Sequence, residues 1–96
     1  MKINSNKLLI IGAGGHGLVV GETAIASKAF CEVFYLDDCF IDGIKKNEYG
    51  LKIIGSSQNI FDKSYGFKYK NVFVAIGEPT TRMSFINKLK KKNFNL

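Results

Sequence analysis

A glycine pattern directly after a short apolar run constrains this chain more than any other feature. Residues 7–11 are rich in isoleucine and leucine and too few for a helix, which predicts a buried strand. Gly12, Gly14 and Gly17 follow at the spacing G-x-G-x-x-G, and an apolar pattern with helical period resumes after them. We therefore predict a strand-to-helix turn, with a helix over about residues 15–28.

Such a turn can bind an anion. Glycine tolerates positive φ and lets a ligand approach the backbone without meeting a Cβ atom, while the first N–H groups of a helix have no partner inside it. Those N–H groups and the positive end of the helix dipole favour a diphosphate. The alternative is a tight turn whose glycines only let the helix and the strand pack closely.

Two carboxylates follow the second predicted strand. Residues 31–38 carry β-branched and aromatic side chains and end with Asp37 and Asp38. A strand, a helix and a strand within about 30 residues form a βαβ unit with parallel strands and a right-handed crossover. The carboxyl ends of the two strands then lie side by side. Both aspartates are therefore predicted near the glycine turn, where the nucleoside of a bound diphosphate would extend.

The remaining chain predicts two more strands. Residues 39–50 are polar and indicate an irregular segment, residues 51–55 form a short strand, and Ser56 or Ser57 caps a brief helix or turn. Residues 71–77 are nearly all apolar, which is typical of a central parallel strand covered on both faces. The expected fold class is α/β: a small Rossmann-like parallel sheet of about four strands with flanking helices and a βαβ start.

A second strand-glycine-helix turn follows the last predicted strand. Gly77 ends the strand, and Pro79 suits the first turn of a helix, where its missing N–H costs nothing. Glu78 and Arg82 are spaced as a surface pair at the start of this helix, or Arg82 neutralises a phosphate. Residues 93–96 indicate a helix exit toward another strand, so we expect the chain to be the first domain of a longer protein.

Composition excludes several classes of function. The chain has 96 residues, 46% of them hydrophobic and 23% charged, which suits one small globular domain. Much of the net charge of +6 comes from lysines on the last predicted helix, so we expect no nucleic-acid partner; they are Lys88, Lys90, Lys91 and Lys92. No apolar run is long enough for a membrane span and no signal-type stretch opens the chain, so we expect no membrane partner and a cytoplasmic location.

Complete catalytic machinery cannot be assembled from these residues. His16 is the only histidine, so a paired-histidine metal site is excluded, and we expect no Ser-His-Asp triad within these residues. A lone histidine in the first turn of a helix either contacts a ligand or packs at the helix start. Cys31 and Cys39 are too few for a disulfide framework and suggest no metal site. The residues therefore predict a nucleotide site, with no catalytic residue and no metal.

Three motifs together resemble one protein family. They are Ile10-Ile11-Gly12-Ala13-Gly14-Gly15-His16-Gly17, Tyr35-Leu36-Asp37-Asp38 and Val74-Ala75-Ile76-Gly77. This combination resembles the N-terminal domain of bacterial sugar O-acyltransferases of the sialic acid type and the related nucleotide-amino-sugar N-acetyltransferases, the NeuD and PglD group. The likeness runs over essentially all 96 residues, and the combination is far more specific than any one motif.

The resemblance implies an acceptor-binding domain. In this family a small Rossmann-like domain binds the acceptor, a UDP-linked amino sugar in the best-understood members, and a following left-handed β-helix binds acetyl-CoA and makes a trimer. The implied reaction is acetyl transfer to a sugar amine or hydroxyl in sialic acid or glycan biosynthesis.

The turns and the resemblance together predict the substrate-binding residues. The resemblance implies that Gly14, Gly15 and His16 line the diphosphate and sugar, that the two aspartates hold the uridine, and that residues 75–78 close the other side. The full predicted set is Gly12, Gly14, Gly15, His16, Gly17, Asp37, Asp38, Ala75, Gly77, Glu78 and Arg82.

The hexapeptide repeats of a β-helix do not occur in these residues. We therefore expect residues 1–96 to be one nucleotide-sugar-binding domain without a cofactor of its own, inactive alone, with acetyl-CoA and a homotrimer expected only with the β-helix domain. Two alternatives stay open. One is the NAD-binding domain of a dehydrogenase, because Asp37 lies about 20 residues beyond Gly17. The other is a non-catalytic nucleotide-binding module that uses the same cleft.

Overall fold

A computed structural model of the chain describes residues 7–28, 30, 32–38, 45–46, 52–62, 64–65, 69–92 and 94–96. Both cysteines and most of the polar segment 39–50 lie outside the described residues. Within the described part, none of the helices has the length and apolar character that a membrane crossing requires.

Five strands of the described chain form one sheet: β1 (Lys7–Ile11), β2 (Glu32–Leu36), β3 (Lys45–Lys46), β4 (Lys52–Gly55) and β5 (Asn71–Val74). Their order is β3-β4-β2-β1-β5, and the last four of these are parallel. The predicted Rossmann-like sheet of four parallel strands is therefore confirmed. The prediction that residues 39–50 are irregular is wrong at Lys45 and Lys46, which pair antiparallel with β4 at the sheet edge.

Helices flank the sheet: α1 (Gly15–Ser27), a 3-10 helix (Ser57–Phe61) and α2 (Pro79–Lys90). Helix α1 begins at the predicted residue, and its C-cap residue Lys28 has a left-handed φ of 61°. Ser56 is the N-cap residue of the 3-10 helix, where Asn59 Oδ1 accepts a hydrogen bond from the Ser56 N–H at 2.8 Å. The predicted cap and the predicted Pro79 start of α2 are confirmed.

Each face of the sheet carries its own apolar core. On one face, Ile10 and Tyr35 pack with Ala24 of α1. On the other face, Leu9 packs with Leu89 of α2. Strand β1 contributes to both cores, which explains why residues 7–11 read as a continuous apolar run instead of an alternating one.

Strand β5 does not occupy the central position predicted for it. It is the last strand in the sheet order and pairs with β1 on one side, while its other side carries an isolated bridge between Asn71 and Asn95 among the described residues. Val72 and Val74 are buried on the α2 side, whereas Phe73, on the α1 side, is 39% exposed. A strand that is apolar on both faces is typical of a covered position. The apolar sequence of β5 is therefore typical of a strand with both faces buried, whereas the described residues leave Phe73 partly exposed.

Two glycines of the first turn are required by close packing. A Cβ atom at Gly17 would lie 2.0 Å from the carbonyl oxygen of Gly12, and one at Gly12 would lie 2.7 Å from the carbonyl oxygen of Ala75. Gly12 also has a φ of +109°, which L side chains rarely adopt. The Tyr35 hydroxyl donates to the Gly17 carbonyl oxygen at 2.9 Å. These contacts fix where α1 begins relative to β1.

Substitution of Gly17 tests this contact. We expect Gly17→Ala to lower the free energy of unfolding by about 2 kcal/mol or more, because only a movement of α1 relieves the overlap with a backbone carbonyl. Gly15→Ala is the matched control, since its Cβ meets nothing within 4 Å and alanine favours the helix. Urea unfolding measures both variants. Equal midpoints for Gly17→Ala and the parent chain would show that this approach does not hold the helix.

Candidate functional site

A cleft of about 390 Å³ lies at the carboxyl edge of the parallel strands. Strands β2 and β4 lie on one side of β1 and β5 lies on the other, so the cleft opens where the strand order reverses. Open parallel sheets bind ligands at such a switch point. The lining includes six predicted site residues: Gly12, Gly14, Asp37, Asp38, Ala75 and Gly77.

The N-terminus of α1 meets this cleft without a capping side chain. Gly14 is the N-cap residue in an extended conformation, no side chain of the described residues caps it, and the first turn of α1 contains no acid. Gly14, Gly15 and His16 are exposed. Because the first N–H groups of a helix have no partners within it, this end of α1 offers donors and a positive dipole end to an anion.

Asp37 has a structural partner in the glycine turn. Its Oδ2 atom accepts a hydrogen bond from the Ala13 N–H at 2.6 Å, and its own N–H donates to the Gly55 carbonyl oxygen at 2.9 Å. The Gly12 N–H donates to the Leu36 carbonyl oxygen at 2.7 Å. Two N–H groups of the turn are therefore engaged within the protein, so we expect the donors for a ligand to come from Gly14 and the first turn of α1.

Asp38 is held from the other side of the cleft. Its Oδ1 atom accepts hydrogen bonds from the Ser57 hydroxyl at 2.6 Å and from the Ser57 N–H at 3.2 Å. Ser57 is buried at the start of the 3-10 helix, whereas Asp38 is exposed to the cleft. The buried serine thus fixes the orientation of an exposed carboxylate.

Glu78 caps α2. Its carboxylate accepts hydrogen bonds from the Thr81 N–H at 2.6 Å and the Thr80 N–H at 3.1 Å. The hydrogen bonds from Thr81 lower the pKa of Glu78 below its usual value. The N-terminus of α2 therefore carries its own carboxylate, whereas that of α1 does not. An anionic ligand is favoured at α1 and opposed at α2.

His16 and Arg82 lie outside the lining of the cleft. Both line a second pocket of about 340 Å³ beside β5. The His16 ring packs against the Phe73 ring with 5.9 Å between centroids, and Arg82 Nη1 donates to the Ile76 carbonyl oxygen at 3.4 Å. The two predicted residues therefore lie together in a pocket separate from the lining of the cleft.

Two predicted glycines lie outside the lining of the cleft, whereas several residues that were not predicted belong to it. Gly15 does not line the cleft, and Gly17 is buried beneath the turn. Ile76, which lies within the predicted range 75–78, also lines the cleft, together with five residues that sequence reasoning did not assign to the site: Leu36, Ser57, Gln58, Thr81 and Phe85. The sequence indicated Ser57 as a possible helix cap, but nothing in the sequence indicated its pairing with Asp38.

Among the described residues, no group of three or more His, Cys, Asp or Glu side chains could hold a metal ion.

Comparison with known proteins identifies relatives of this fold. The family model described as the PglD N-terminal domain matches residues 7–89. No curated protein sequence matches the chain. The acetyltransferase domain of PglB from Neisseria gonorrhoeae FA1090 is similar in structure, with a TM-score of 0.78 and 29% identity over 93% of this chain. The same domain in complex with acetyl coenzyme A gives a TM-score of 0.76 and 31% identity over 95% of this chain. The chain spans only 41% and 42% of those two structures.

The cap of α2 gives the stability of the protein a defined pH dependence. Because the folded-state pKa of Glu78 is lowered, its contribution is fully present above the pKa of an unfolded glutamate and is lost as pH falls through the lowered value. We expect Glu78→Gln to reduce the thermal midpoint at neutral pH, with the gap to the parent chain narrowing in acid. Glu22→Gln, on the exposed face of α1, is the control for the loss of one surface carboxylate away from α2. A gap for Glu78→Gln that stays constant across the acid range would contradict the cap.

Proposed function

Because the chain belongs to the PglD N-terminal domain family, we propose that it is the acceptor-binding domain of a sugar acetyltransferase and binds a UDP-linked amino sugar. One arrangement carries the proposal: the uncapped N-terminus of α1 meets the same cleft as Asp37 and Asp38. A nucleoside diphosphate suits both ends, since its phosphates are anions and its hydroxyl and N–H groups donate to carboxylates.

The proposed ligand lies along the carboxyl edge of the sheet. Its diphosphate accepts hydrogen bonds from the backbone between Gly14 and His16, and its nucleoside extends toward Asp38. Ala75 and Gly77 form the opposite wall, where the absence of a side chain at Gly77 leaves room for the ligand. In this arrangement Asp37 acts through Ala13, because it holds the turn that presents the donors.

The chemistry of acetyl transfer is proposed to occur outside residues 1–96. The sugar amine or hydroxyl attacks the thioester carbonyl of acetyl-CoA, an amide or ester forms, and the coenzyme leaves as the thiol with the proton of the nucleophile. Acetyl-CoA as donor is supported by the complex of the similar PglB acetyltransferase domain with acetyl coenzyme A. A β-helix domain, a homotrimer, a bacterial glycan or sialic acid pathway and a cytoplasmic location complete the proposal, and each follows from the sequence resemblance or composition.

Titration with three ligands tests the proposed function. We expect UDP and a UDP-linked amino sugar to bind in isothermal calorimetry, and NADH to bind at least roughly tenfold more weakly, because a dinucleotide also needs a second nucleotide-binding half. Tight binding of NADH with no response to uridine nucleotides would overturn the proposal in favour of a dehydrogenase domain. Binding of UDP with no gain from the sugar would favour a nucleotide-binding module without a sugar acceptor.

Gly14→Val tests whether the first turn is the diphosphate cradle. Gly14 has φ −79° and ψ −167°, which valine accepts, and its Cβ would meet nothing within 4 Å, so the fold should persist. The side chain would stand where the phosphate approaches, so affinity for UDP should fall roughly tenfold or more, as for the loss of one hydrogen bond to a charged group. Ala26→Val, on the exposed side of α1, is the control and should bind like the parent chain. Unchanged binding by Gly14→Val would remove the turn from the site.

A further inference from the structure

The ends of strands β2 and β4 hold Ser57 beside Asp38. Leu36 pairs with Gly55 in the parallel register, and the Asp37 N–H donates to the Gly55 carbonyl oxygen at 2.9 Å. Asp38 then lies exposed at the cleft, and Ser57 begins the 3-10 helix that follows β4. Apart from tyrosines, Ser57 is the only polar or charged residue of the described chain that is buried. A buried hydroxyl needs a hydrogen-bond partner, and this one uses a carboxylate of the cleft instead of a group in the core.

Ser57 fills one of the two oxygens of the Asp38 carboxylate. Oδ1 accepts from the Ser57 hydroxyl at 2.6 Å and from the Ser57 N–H at 3.2 Å, and a carboxylate oxygen has about two lone-pair sites. In the part of the chain that the structure describes, no group donates a hydrogen bond to the other oxygen, Oδ2. A ligand in the cleft therefore meets one acceptor oxygen, held in a fixed orientation, instead of a pair.

The number of donors that a ligand presents decides how well it suits a single acceptor. The vicinal hydroxyls of a ribose and the two N–H groups on the pairing edge of guanine each offer two donors side by side, which suit both oxygens of a carboxylate. Uracil and thymine offer one imide N–H between two carbonyl oxygens. Cytosine and adenine present a nitrogen lone pair at the corresponding position, which a carboxylate repels. One free oxygen thus matches an imide base better than a diol, a guanine, a cytosine or an adenine.

We propose that Ser57 is a specificity-determining residue of the cleft: by occupying Oδ1, it makes Asp38 a single acceptor that selects the imide N–H of uracil or thymine. Gln58 lines the same cleft beside Ser57, and its carboxamide supplies a donor for a carbonyl oxygen next to that N–H. Ser57 acts through Asp38 and does not itself contact the base. The inference deepens the proposed function and rests on it, because it requires the nucleoside to extend toward Asp38.

Binding of four nucleoside diphosphates tests the proposal. In isothermal calorimetry we expect the parent chain to bind UDP and dTDP at least roughly tenfold more tightly than GDP or CDP. Ser57→Ala frees a site on Oδ1 and loosens the carboxylate, so the preference for UDP over GDP should fall roughly fivefold or more, while CDP stays weak. A general loss of structure would weaken all four ligands alike, so the ratio of affinities reports the positioning of Asp38.

Ser56→Ala is the matched control. It removes the neighbouring hydroxyl, which contacts Asn59 Oδ1 at 3.3 Å and lies outside the lining of the cleft. Its preference for UDP over GDP should equal that of the parent chain. The fold should persist in Ser57→Ala, because alanine fits the buried site and the exposed Asp38 carboxylate gains water in place of the hydroxyl. The thermal midpoint of each chain checks this.

Asp38→Asn tests the orientation of the side chain by a second route. Both Ser57 groups are donors, so they hold the amide oxygen at the Oδ1 position, and the amide NH2 group replaces Oδ2. UDP should then bind roughly tenfold or more weakly, and the preference should shift toward CDP, whose N3 accepts from the NH2 group. Adding Ser57→Ala to this variant should reduce the preference for CDP, since the amide is then free to turn.

The inference and the proposed function fail on different results. A preference for UDP over GDP that stays unchanged in Ser57→Ala, with UDP still bound, refutes the role of Ser57 and leaves the proposed function intact. Should Ser57→Ala fail to fold, Asp38→Asn decides, and a base preference equal to that of the parent chain counts against the inference. Binding of GDP or CDP to the parent chain as tightly as UDP also contradicts it. Tighter binding of dTDP than of UDP supports an imide reader with thymine as its base. Failure of the parent chain to bind any of the four ligands overturns the proposed function and this inference together.

Discussion

The position of the first helix depends on the contact between Gly17 and the carbonyl of Gly12, and the site depends on that position. The backbone at Gly17 approaches the turn so closely that any side chain would overlap it. The start of α1 is thereby held at the carboxyl end of β1, and the Tyr35 hydroxyl fixes the same turn of the helix through its bond to Gly17. The hydrogen bond from Ala13 to Asp37 then secures the loop between them. Packing and these two hydrogen bonds therefore place the uncapped end of α1 at the cleft.

Charge distinguishes the two glycine turns, although their backbone pattern is similar. Each turn follows a parallel strand and opens a helix on the same edge of the sheet. The second helix receives the carboxylate of Glu78 on its first N–H groups, while the first helix receives none from its own first turn. The helix dipole therefore favours an anionic group at the N-terminus of α1 over the N-terminus of α2. The second turn contributes Gly77 to the wall of the cleft. The sequence itself differs at these two positions, because the N-cap residue of α2 is Glu78 and the N-cap residue of α1 is Gly14.

Periodicity and turn chemistry were sufficient to predict most of the fold. The continuous apolar runs located β1 and β5, the glycines located the start of α1, and Pro79 located the start of α2, because each signal acts within a few residues. Contacts between segments that are distant in the sequence could not be predicted in this way. The bond between Asp38 and Ser57 joins two loops, and nothing local indicates it. The same limit explains the error at β5: apolar residues on both faces indicate a covered strand, but they do not identify what covers it.

The strand order also limits what a ligand can be. A dinucleotide site uses two βαβαβ halves, each of which holds one mononucleotide. Here β1, β2 and β4 form one half, and β5 lies across the switch point from them. In the proposed arrangement, one nucleoside and its diphosphate extend along the cleft from Asp38 to Gly14. Among the described strands only β5 lies beyond β1 on that side, so a second mononucleotide-binding half is not complete there.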